Sequence, residues 1–187
     1  MAKKIDWVQQ YQADADEVFA MLCDPEFVEH KCLASGSIEA SADVFEEDTL
    51  ITIVSRRVLP AKLPGFAKKF VGETVTLVET QRWTSDQDAG LRTATFVVDF
   101  GNNPIGFSGD VNLDPHPQGT TVQTVGSLKC TVPLVGGKIE GVAEEWIVKY
   151  LDKEQRVGTA NGDAHGAAKC SWAHSVACTR SVTPRAA

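Results

Sequence analysis

The sequence predicts an α+β fold in which a curved, seven-stranded antiparallel sheet wraps around a long C-terminal helix, with two short helices after the first strand. Three observations predict this arrangement. Aspartates precede two short helical patterns near the N-terminus. Between residues 37 and 132, segments rich in Thr, Val and Ile alternate with turn-forming clusters. After residue 133 the apolar residues recur with the period of about 3.6 that is typical of a helix.

The N-terminal segment predicts one strand and then two short helices. Ile5 and Trp7 share one face of an extended segment that suits a half-buried strand. Asp14 or Asp16 is placed to cap the first helix, whose apolar residues follow at helical spacing. Asp24 precedes a proline, and this pair is typical of the start of a second helix.

The middle of the chain predicts an antiparallel meander, because short joints connect neighbouring antiparallel strands. Its six strand-like segments are SIEASADVF, DTLITIVSRRVL, ETVTLVETQRW, LRTATFVVDF, IGFSGDVNLD and TTVQTVGSLKCTV. Alternation along the fifth segment places Phe107, Val111 and Leu113 on one face, which we expect to be inward. One joint is long and spans residues 60–72.

The segment ETVTLVETQRW places an acidic residue on a face that is otherwise mostly apolar. Leu77 and Trp83 share this face with Glu79. If the face is inward, Glu79 lies inside the sheet, and burial would raise the pKa of its carboxyl. The pattern favours the alternative, a solvated strand end at which Glu79 pairs with Arg82 or Arg92.

The C-terminal helix is predicted to run to about residue 157 and to carry one broad apolar stripe. This stripe consists of Ile139, Val142, Ala143, Trp146, Ile147 and Tyr150. The helix is the only predicted element long enough to cover the concave face of the sheet. A sheet wrapped around a helix leaves space for a small apolar ligand, so we interpret the stripe as a pocket wall. Trp146 and Tyr150 each add a polar group to a large apolar surface.

The stretch VPLVGGKIEG joins the last strand to this helix and invites comparison with a phosphate-binding loop. Such a loop needs an earlier glycine and a Ser or Thr after the lysine, and Ile139 stands in the latter position. We therefore reject a nucleotide site. Gly136, Gly137 and Gly141 are instead expected to let the helix begin close against the sheet.

Several segments resemble a known superfamily. ADADEVFAMLCDPEFVEHK resembles the first helical segment of the START-like superfamily, which includes birch-pollen-allergen-like proteins and polyketide cyclases. LPAKLPGFAKKFVG, ETQRW and VPLVGGKIEGVAEE are similar to a narrower bacterial family within it that has no assigned function. The resemblance covers roughly residues 3–157. It implies a helix-grip fold with a ligand-holding cavity, and it assigns no catalytic residue.

Apolar side chains from the sheet, the long joint and the last helix are the expected ligand contacts. They are Phe66, Phe70, Leu77, Trp83, Phe107, Val111, Ile139, Val142, Trp146 and Tyr150. Phe66 and Phe70 lie one helical turn apart among lysines. Residues 60–72 are either a lid that also contacts an anionic membrane surface transiently, or a short helix that closes the core.

The leading hypothesis is that residues 1–160 form one START-like domain that binds a hydrophobic or amphipathic small molecule. Lipid-, sterol- and polyketide-like molecules are the expected ligands, and no catalysis is expected. The first alternative is a cyclase- or hydrolase-like enzyme that uses the same cavity, with Glu79, Asp99 and Arg57 as its best polar groups. The second alternative is a protein-interaction module that uses residues 60–72.

Charge and composition narrow the partners. The formal net charge of −7 disfavours the broad phosphate contacts of nucleic-acid binding. No apolar run is long enough to span a membrane, and the start of the chain lacks a secretory signal, so we expect a cytoplasmic protein. Its five cysteines have no framework spacing and are expected to be reduced.

The last residues, 161–187, are predicted to be a loosely ordered extension because they show no sustained periodicity. They contain His165, Cys170, His174 and Cys178, which have the chemistry of zinc ligands. Their spacing matches no common structural-zinc pattern. We therefore predict neither a metal site nor a cofactor.

Overall fold

The computed structural model describes residues 2–61, 72–84 and 91–166, the last six of these as backbone only. Its strands are β1 (Lys3–Tyr11), β2 (Glu39–Glu47), β3 (Leu50–Pro60), β4 (Thr74–Thr84), β5 (Arg92–Asp99), β6 (Ile105–His116) and β7 (Gly119–Cys130). Its helices within these ranges are α1 (Ala15–Leu22), α2 (Pro25–Ala34) and α3 (Gly136–Gly166). This order of elements confirms the predicted α+β architecture.

All the strands form one antiparallel sheet with the order β1-β7-β6-β5-β4-β3-β2. Strands that follow one another from β2 to β7 are neighbours, which confirms the meander. The first strand completes the sheet beside the last one, with Ile5 opposite Gly126. Helix α3 contacts β1, β7 and α2, and so lies along the concave face of the sheet.

The two short helices begin where the aspartates predict. The Asp14 carboxylate accepts a hydrogen bond from the backbone N–H of Glu17 at 2.8 Å, so Asp14 and not Asp16 is the cap of α1. The Asp24 carboxylate accepts one from the N–H of Glu26 at 3.0 Å. Each cap satisfies a backbone donor that has no partner within its helix.

Period-two alternation identifies the inward face of β6 correctly. Phe107, Val111 and Leu113 are all buried, as predicted. The Phe107 ring meets the Phe96 ring edge-on, with 4.8 Å between centroids. A Cβ atom added to Gly126 would lie 2.3 Å from the Phe107 ring, so only glycine leaves this ring its place against β7.

The last helix differs from its prediction in length and in its contact with the sheet. It continues to Gly166, past residue 157, because the end of an apolar stripe marks the end of a buried face and not of a helix. A Cβ atom at Gly136 would lie 2.9 Å from the Cys130 carbonyl oxygen, whereas one at Gly141 would meet no atom within 4 Å. The close approach predicted at Gly136 is therefore confirmed, and the one predicted at Gly141 and at Gly137, where a Cβ atom would also meet no atom within 4 Å, is wrong.

A tight contact instead occurs towards the other end of α3. A Cβ atom at Gly158 would lie 2.6 Å from the buried Tyr11 ring. Because this ring has little room to move, Gly158 allows the helix to approach β1 closely. Residues 167–187, which include most of the predicted extension, lie outside the described residues.

Candidate functional site

A cavity of about 180 Å³ lies between the concave face of the sheet and α3. An engineered cavity of about 150 Å³ in another protein holds benzene, so this space admits one ring or a short chain. The cavity is only partly enclosed. Its walls come from β1, α1, α2, strands β3 to β7 and the first four to five turns of α3.

Most of the predicted contact residues line this cavity. From the sheet and from α3, they are Leu77, Trp83, Phe107, Val111, Ile139, Val142, Trp146 and Tyr150. Phe66 and Phe70 lie outside the described residues. Whether any of these side chains contacts a ligand stays a prediction.

One end of the cavity is apolar, and we call it the apolar end. It lies where β3 and β5 end, where β4 and β6 begin, and beside the first turn of α3. Its lining residues are Leu59, Ala61, Val75, Phe100, Ile105 and Ile139, together with the Asn103 amide, which donates to the Phe100 carbonyl oxygen at 2.7 Å. The rings of Phe96, Phe107 and Trp146 continue this surface towards the middle of the cavity.

Four ionised side chains lie together where α2 and the later turns of α3 face β3 and β4, and we call this part of the cavity the charged end and its four side chains the buried quartet: Lys31, Arg57, Glu79 and Glu154. Arg57 bonds the Glu79 carboxylate through Nη2 and donates from Nη1 to Glu154 Oε1 at 3.0 Å. Lys31 Nζ lies 3.4 Å from the second Glu154 oxygen. These side chains are only 8% to 18% exposed, so their charges face one another and the cavity.

Uncharged polar groups extend the quartet in two directions. Gln81 Nε2 donates to Glu79 Oε1 at 2.6 Å, and Trp83 Nε1 donates to Gln81 Oε1 at 2.9 Å. On the other side, the Arg57 guanidinium lies over the Tyr150 ring, 4.5 Å from its centroid. The Tyr150 hydroxyl donates to the Cys32 carbonyl oxygen at 3.3 Å. Tyr150 thus presents its ring to the cavity and anchors its hydroxyl on α2.

The predicted solvated position of Glu79 is wrong. The side chain lies inward and pairs with Arg57, not with Arg82 or Arg92. Arg57 stands opposite Leu77 in the β3–β4 register, two positions from Glu79, so both side chains project from the same face. Arg82 is exposed, and Arg92 pairs with Asp16 at 2.8 Å on the surface.

The rise in the pKa of Glu79 that the sequence indicated for an inward position is wrong as well. Burial alone would raise this pKa, but the charges of Arg57 and Lys31 and a hydrogen bond from Gln81 outweigh burial and lower it. Asp99 likewise departs from its suggested place in the cavity. It is exposed, and its carboxylate accepts a hydrogen bond from the N–H of Gly101 at 2.8 Å.

Other groups at this end keep the protonation states they have in water at neutral pH. Burial raises the pKa of Tyr150 to about 12, which keeps the hydroxyl neutral. Burial opposes a charge on Lys31, yet Glu154 and Glu79 overcome it and hold its pKa above the ordinary value. Burial raises the pKa of the Cys32 thiol despite the nearby Arg57.

Sequence reasoning missed two members of the quartet. Glu154 stands four positions after Tyr150 and so continues the inward stripe of α3 by one turn. A carboxylate at the end of an apolar stripe was the available signal. Lys31 gave no such signal, because a lysine on a short helix is normally a solvated residue.

The structure also bears on metal sites and membrane spans. Over the ranges it describes, no three His, Cys, Asp or Glu side chains lie together as a metal-binding group. Of the histidines and cysteines in the tail, Cys170, His174 and Cys178 lie beyond those ranges, and His165 is described by its backbone alone. Within the same ranges, none of the helices is both long enough and apolar enough to cross a membrane.

Comparison with known proteins places this geometry in context. A family model described as "Protein of unknown function (DUF2505)" matches residues 6–160. By sequence, no curated protein matches the chain. Solved structures of similar fold exist at low sequence identity.

The Zhui aromatase/cyclase from Streptomyces sp. R1128 has a TM-score of 0.61 and 12% identity, with 90% of this chain and 98% of that chain covered. The STAR-related lipid transfer protein from Xanthomonas axonopodis has a TM-score of 0.56 and 12% identity, over 86% and 85%. The di-domain ARO/CYC StfQ of the steffimycin biosynthetic pathway has a TM-score of 0.57 and 9% identity, over 89% and 52%. These likenesses confirm the START-like, cyclase-like fold.

Proposed function

The chain belongs to the DUF2505 family of proteins of unknown function, and from its cavity we propose that it binds a hydrophobic or amphipathic small molecule without transforming it. The ligand lies between the sheet and α3. Its apolar part packs in the apolar end, and any polar group reaches the buried quartet.

The observation that carries this proposal is the lining of the cavity. Aromatic and aliphatic side chains cover most of it, and a few polar groups converge at one end. This combination is typical of small-molecule sites, in which apolar surface supplies affinity and a few polar groups fix orientation. Proteins of similar fold include one named for lipid transfer and one named as an aromatase/cyclase, which supports the same class of ligand.

The size of the cavity narrows that class. Lipid-, sterol- and polyketide-like molecules all suit an apolar lining. The enclosed space of about 180 Å³ favours a short chain or a single ring over a whole sterol. A longer ligand has to extend out of the partly open cavity.

The protonation states at the charged end favour binding over catalysis. A general acid or base works best when its pKa lies near the operating pH. The pKa of Glu79 is lowered and those of Tyr150 and Lys31 are raised, so each of these groups is moved away from neutrality. None of the three is poised to exchange a proton with a ligand at neutral pH.

The first test is native mass spectrometry of the purified protein, followed by a matched pair of variants. We expect a small molecule to co-purify. Val98 lines the cavity and its neighbour Val97 is half exposed on the convex face, so Val98→Phe fills the cavity and Val97→Phe does not. Val98→Phe should lose the bound molecule and Val97→Phe should keep it. A wild-type mass equal to the bare polypeptide would contradict a tightly held ligand.

A cyclase- or hydrolase-like reaction in the same cavity is the second candidate, because Arg57, Glu79, Glu154 and Tyr150 converge there. The bound molecule distinguishes the two. Under simple binding, the molecule extracted from Glu79→Gln is unchanged in mass and chromatographic retention after incubation with the wild type. Under turnover, the wild type converts that molecule to product: hydrolysis or dehydration changes its mass, and cyclisation without loss of water changes its chromatographic retention.

The sequence suggested two further roles for residues 60–72. Transient contact with a membrane surface and docking of a protein partner both depend on Phe66 and Phe70, which lie outside the described residues. Both roles stay predictions. Binding of the protein to anionic vesicles, compared between wild type and Phe66→Ala, tests the first of them.

A further inference from the structure

The buried quartet contains equal numbers of positive and negative charges. Lys31 and Arg57 are cations, and Glu79 and Glu154 are anions. Every charge has at least one opposite charge within ion-pair distance, and Arg57 and Glu154 each have two. The quartet as a whole is therefore neutral.

No other charge in the described lining alters this balance. Among the lining residues of the described ranges, Tyr150 is the one further titratable side chain, and its hydroxyl stays neutral. Gln9 and Thr124 on the opposite wall are polar but uncharged. Gln9 Nε2 already donates to the Leu151 carbonyl oxygen at 3.2 Å.

A charged ligand would disturb the balance. Moving an ionised group out of water is costly unless it meets an opposite charge that is free to pair with it. A carboxylate at this end would compete with Glu79 and Glu154 for the two cations. An ammonium group would compete with Lys31 and Arg57 for the two carboxylates, so either ligand leaves one buried charge without a full partner.

An uncharged polar group meets no such conflict. Glu79 is the most accessible member of the quartet, with 18% of its side chain exposed, and it can accept a hydrogen bond. Lys31 and Arg57 are donors only. A hydroxyl group can donate to the carboxylate and accept from a cation at the same time, and a carbonyl oxygen can accept from a cation.

We propose that the cavity selects molecules whose polar end is uncharged, a hydroxyl or carbonyl group on an apolar body, and that the neutrality of the buried quartet sets this selectivity. This inference rests on the proposed function, since it concerns what enters the same cavity. Glu79 and Lys31 are then specificity-determining residues, because replacing either one with an uncharged residue gives the site a net charge.

A matched ligand series tests the inference on the wild-type protein. Octan-1-ol, octanoate and octylammonium share one chain and differ in the charge of the polar end at neutral pH. Trp83 and Trp146 line the cavity, so binding can be followed by tryptophan fluorescence. We expect octan-1-ol to bind at least about tenfold more tightly than either ion, since each ion leaves a buried charge poorly paired.

Charge-neutralising variants should then change the order of affinities. Glu79→Gln leaves the site with a positive charge, so octanoate should gain about tenfold relative to octan-1-ol. Lys31→Gln leaves it with a negative charge, so octylammonium should gain by a similar factor. Asp16→Asn and Lys3→Gln make the same changes of net charge at surface ion pairs and should leave the order unchanged.

The possible outcomes separate the two proposals. If no member of the series changes the fluorescence of the wild type, the binding function fails and the selectivity with it. If the probes bind but octanoate or octylammonium binds as tightly as octan-1-ol, the selectivity alone is overturned. The wild-type series decides this without any variant, so poor folding of Glu79→Gln or Lys31→Gln does not leave the inference untested.

Discussion

The two ends of the cavity are built from different interactions. At the apolar end, Leu59, Val75 and Ile105 supply apolar surface. Apolar packing does not depend on one particular partner atom. At the charged end, Arg57 and Glu154 are held by direct bonds from separate elements. Apolar packing tolerates changes of shape at modest cost, whereas a buried charge that loses its partner is strongly destabilising. The apolar end can therefore adapt to a ligand, while the charged end must stay as it is.

Helix α3 shows the same contrast along its length. Near the apolar end, the surroundings of Gly141 are open. Near the charged end, Gly158 lies against the Tyr11 ring. The contrast concerns these two positions, because the start of the helix is also close to the sheet: a Cβ atom at Gly136 would lie 2.9 Å from the Cys130 carbonyl oxygen.

Removing Arg57 should give the largest effect and break the charged end. Arg57→Gln leaves Glu79 and Glu154 with only Lys31 as a buried cation, and the free energy of unfolding should fall by about 3–5 kcal/mol. Chemical denaturation measures this fall. As a control, Lys3→Gln removes a pair whose two side chains are 45% and 32% exposed, so solvent screens it and the loss should be far smaller. Equal losses in both variants would contradict the distinction between the two ends.

A side chain at Gly158 should give the next largest effect. Gly158→Ala places a methyl group 2.6 Å from the Tyr11 ring, so either the ring or the helix must shift. Overpacking of this kind costs about 1–3 kcal/mol. Thermal and chemical unfolding should both show the loss. An unchanged stability would mean that α3 is no more tightly packed at Gly158 than at Gly141.

The same substitution at Gly141 should have a smaller effect of opposite sign. No atom lies within 4 Å of a Cβ at this position, and alanine favours the helix over glycine. Gly141→Ala should therefore stabilise the protein by about 0.5–1 kcal/mol. If Gly141→Ala destabilised the protein in the same unfolding experiment, that would support the close approach of helix to sheet that the sequence predicted.

Acid should give the smallest effect, a loss of stability through protonation of Glu79. Burial of this carboxyl partly offsets the lowering of its pKa by the neighbouring cations. The pKa of this carboxyl is lowered in the folded state from 4.5, so its contribution to stability is present above pH 4.5 and is lost as pH falls through the lower folded value. Unfolding free energies measured from neutral pH downwards should fall more steeply for the wild type than for Glu79→Gln. Parallel curves would show that Glu79 does not contribute.

Part of the apolar lining of the cavity could be predicted from the sequence because its signals are periodic, although Ile139 is, of the described residues, the one member of the apolar end among the predicted contacts. Phe107 and Val111 alternate along a strand, and Ile139 and Trp146 recur along a helix, so each pattern identifies an inward face without knowledge of any partner. The order of strands followed from the short joints between them.

The charged end could not be predicted because its partners lie far apart in the chain. Nothing local to Glu79 indicates Arg57 on another strand, and the nearby Arg82 and Arg92 were the more plausible partners in sequence. The direction of the pKa shift of Glu79 depends on this pairing: for an inward Glu79 without known partners the sequence indicated a raised pKa, whereas Arg57 and Lys31 lower it. Lys31 and Glu154 were missed for the same reason.

The separation of these partners has a consequence for how the chain folds. Arg57 and Glu154 are 97 positions apart, and closing so long a loop is slow compared with forming a hairpin of the meander. Before α3 docks, α2 and the sheet hold both cations of the buried quartet but only one of its two carboxylates. Docking of α3 therefore covers the cavity and also supplies Glu154, the carboxylate that makes the buried quartet neutral. A folding intermediate without docked α3 has an open cavity and an unbalanced positive charge.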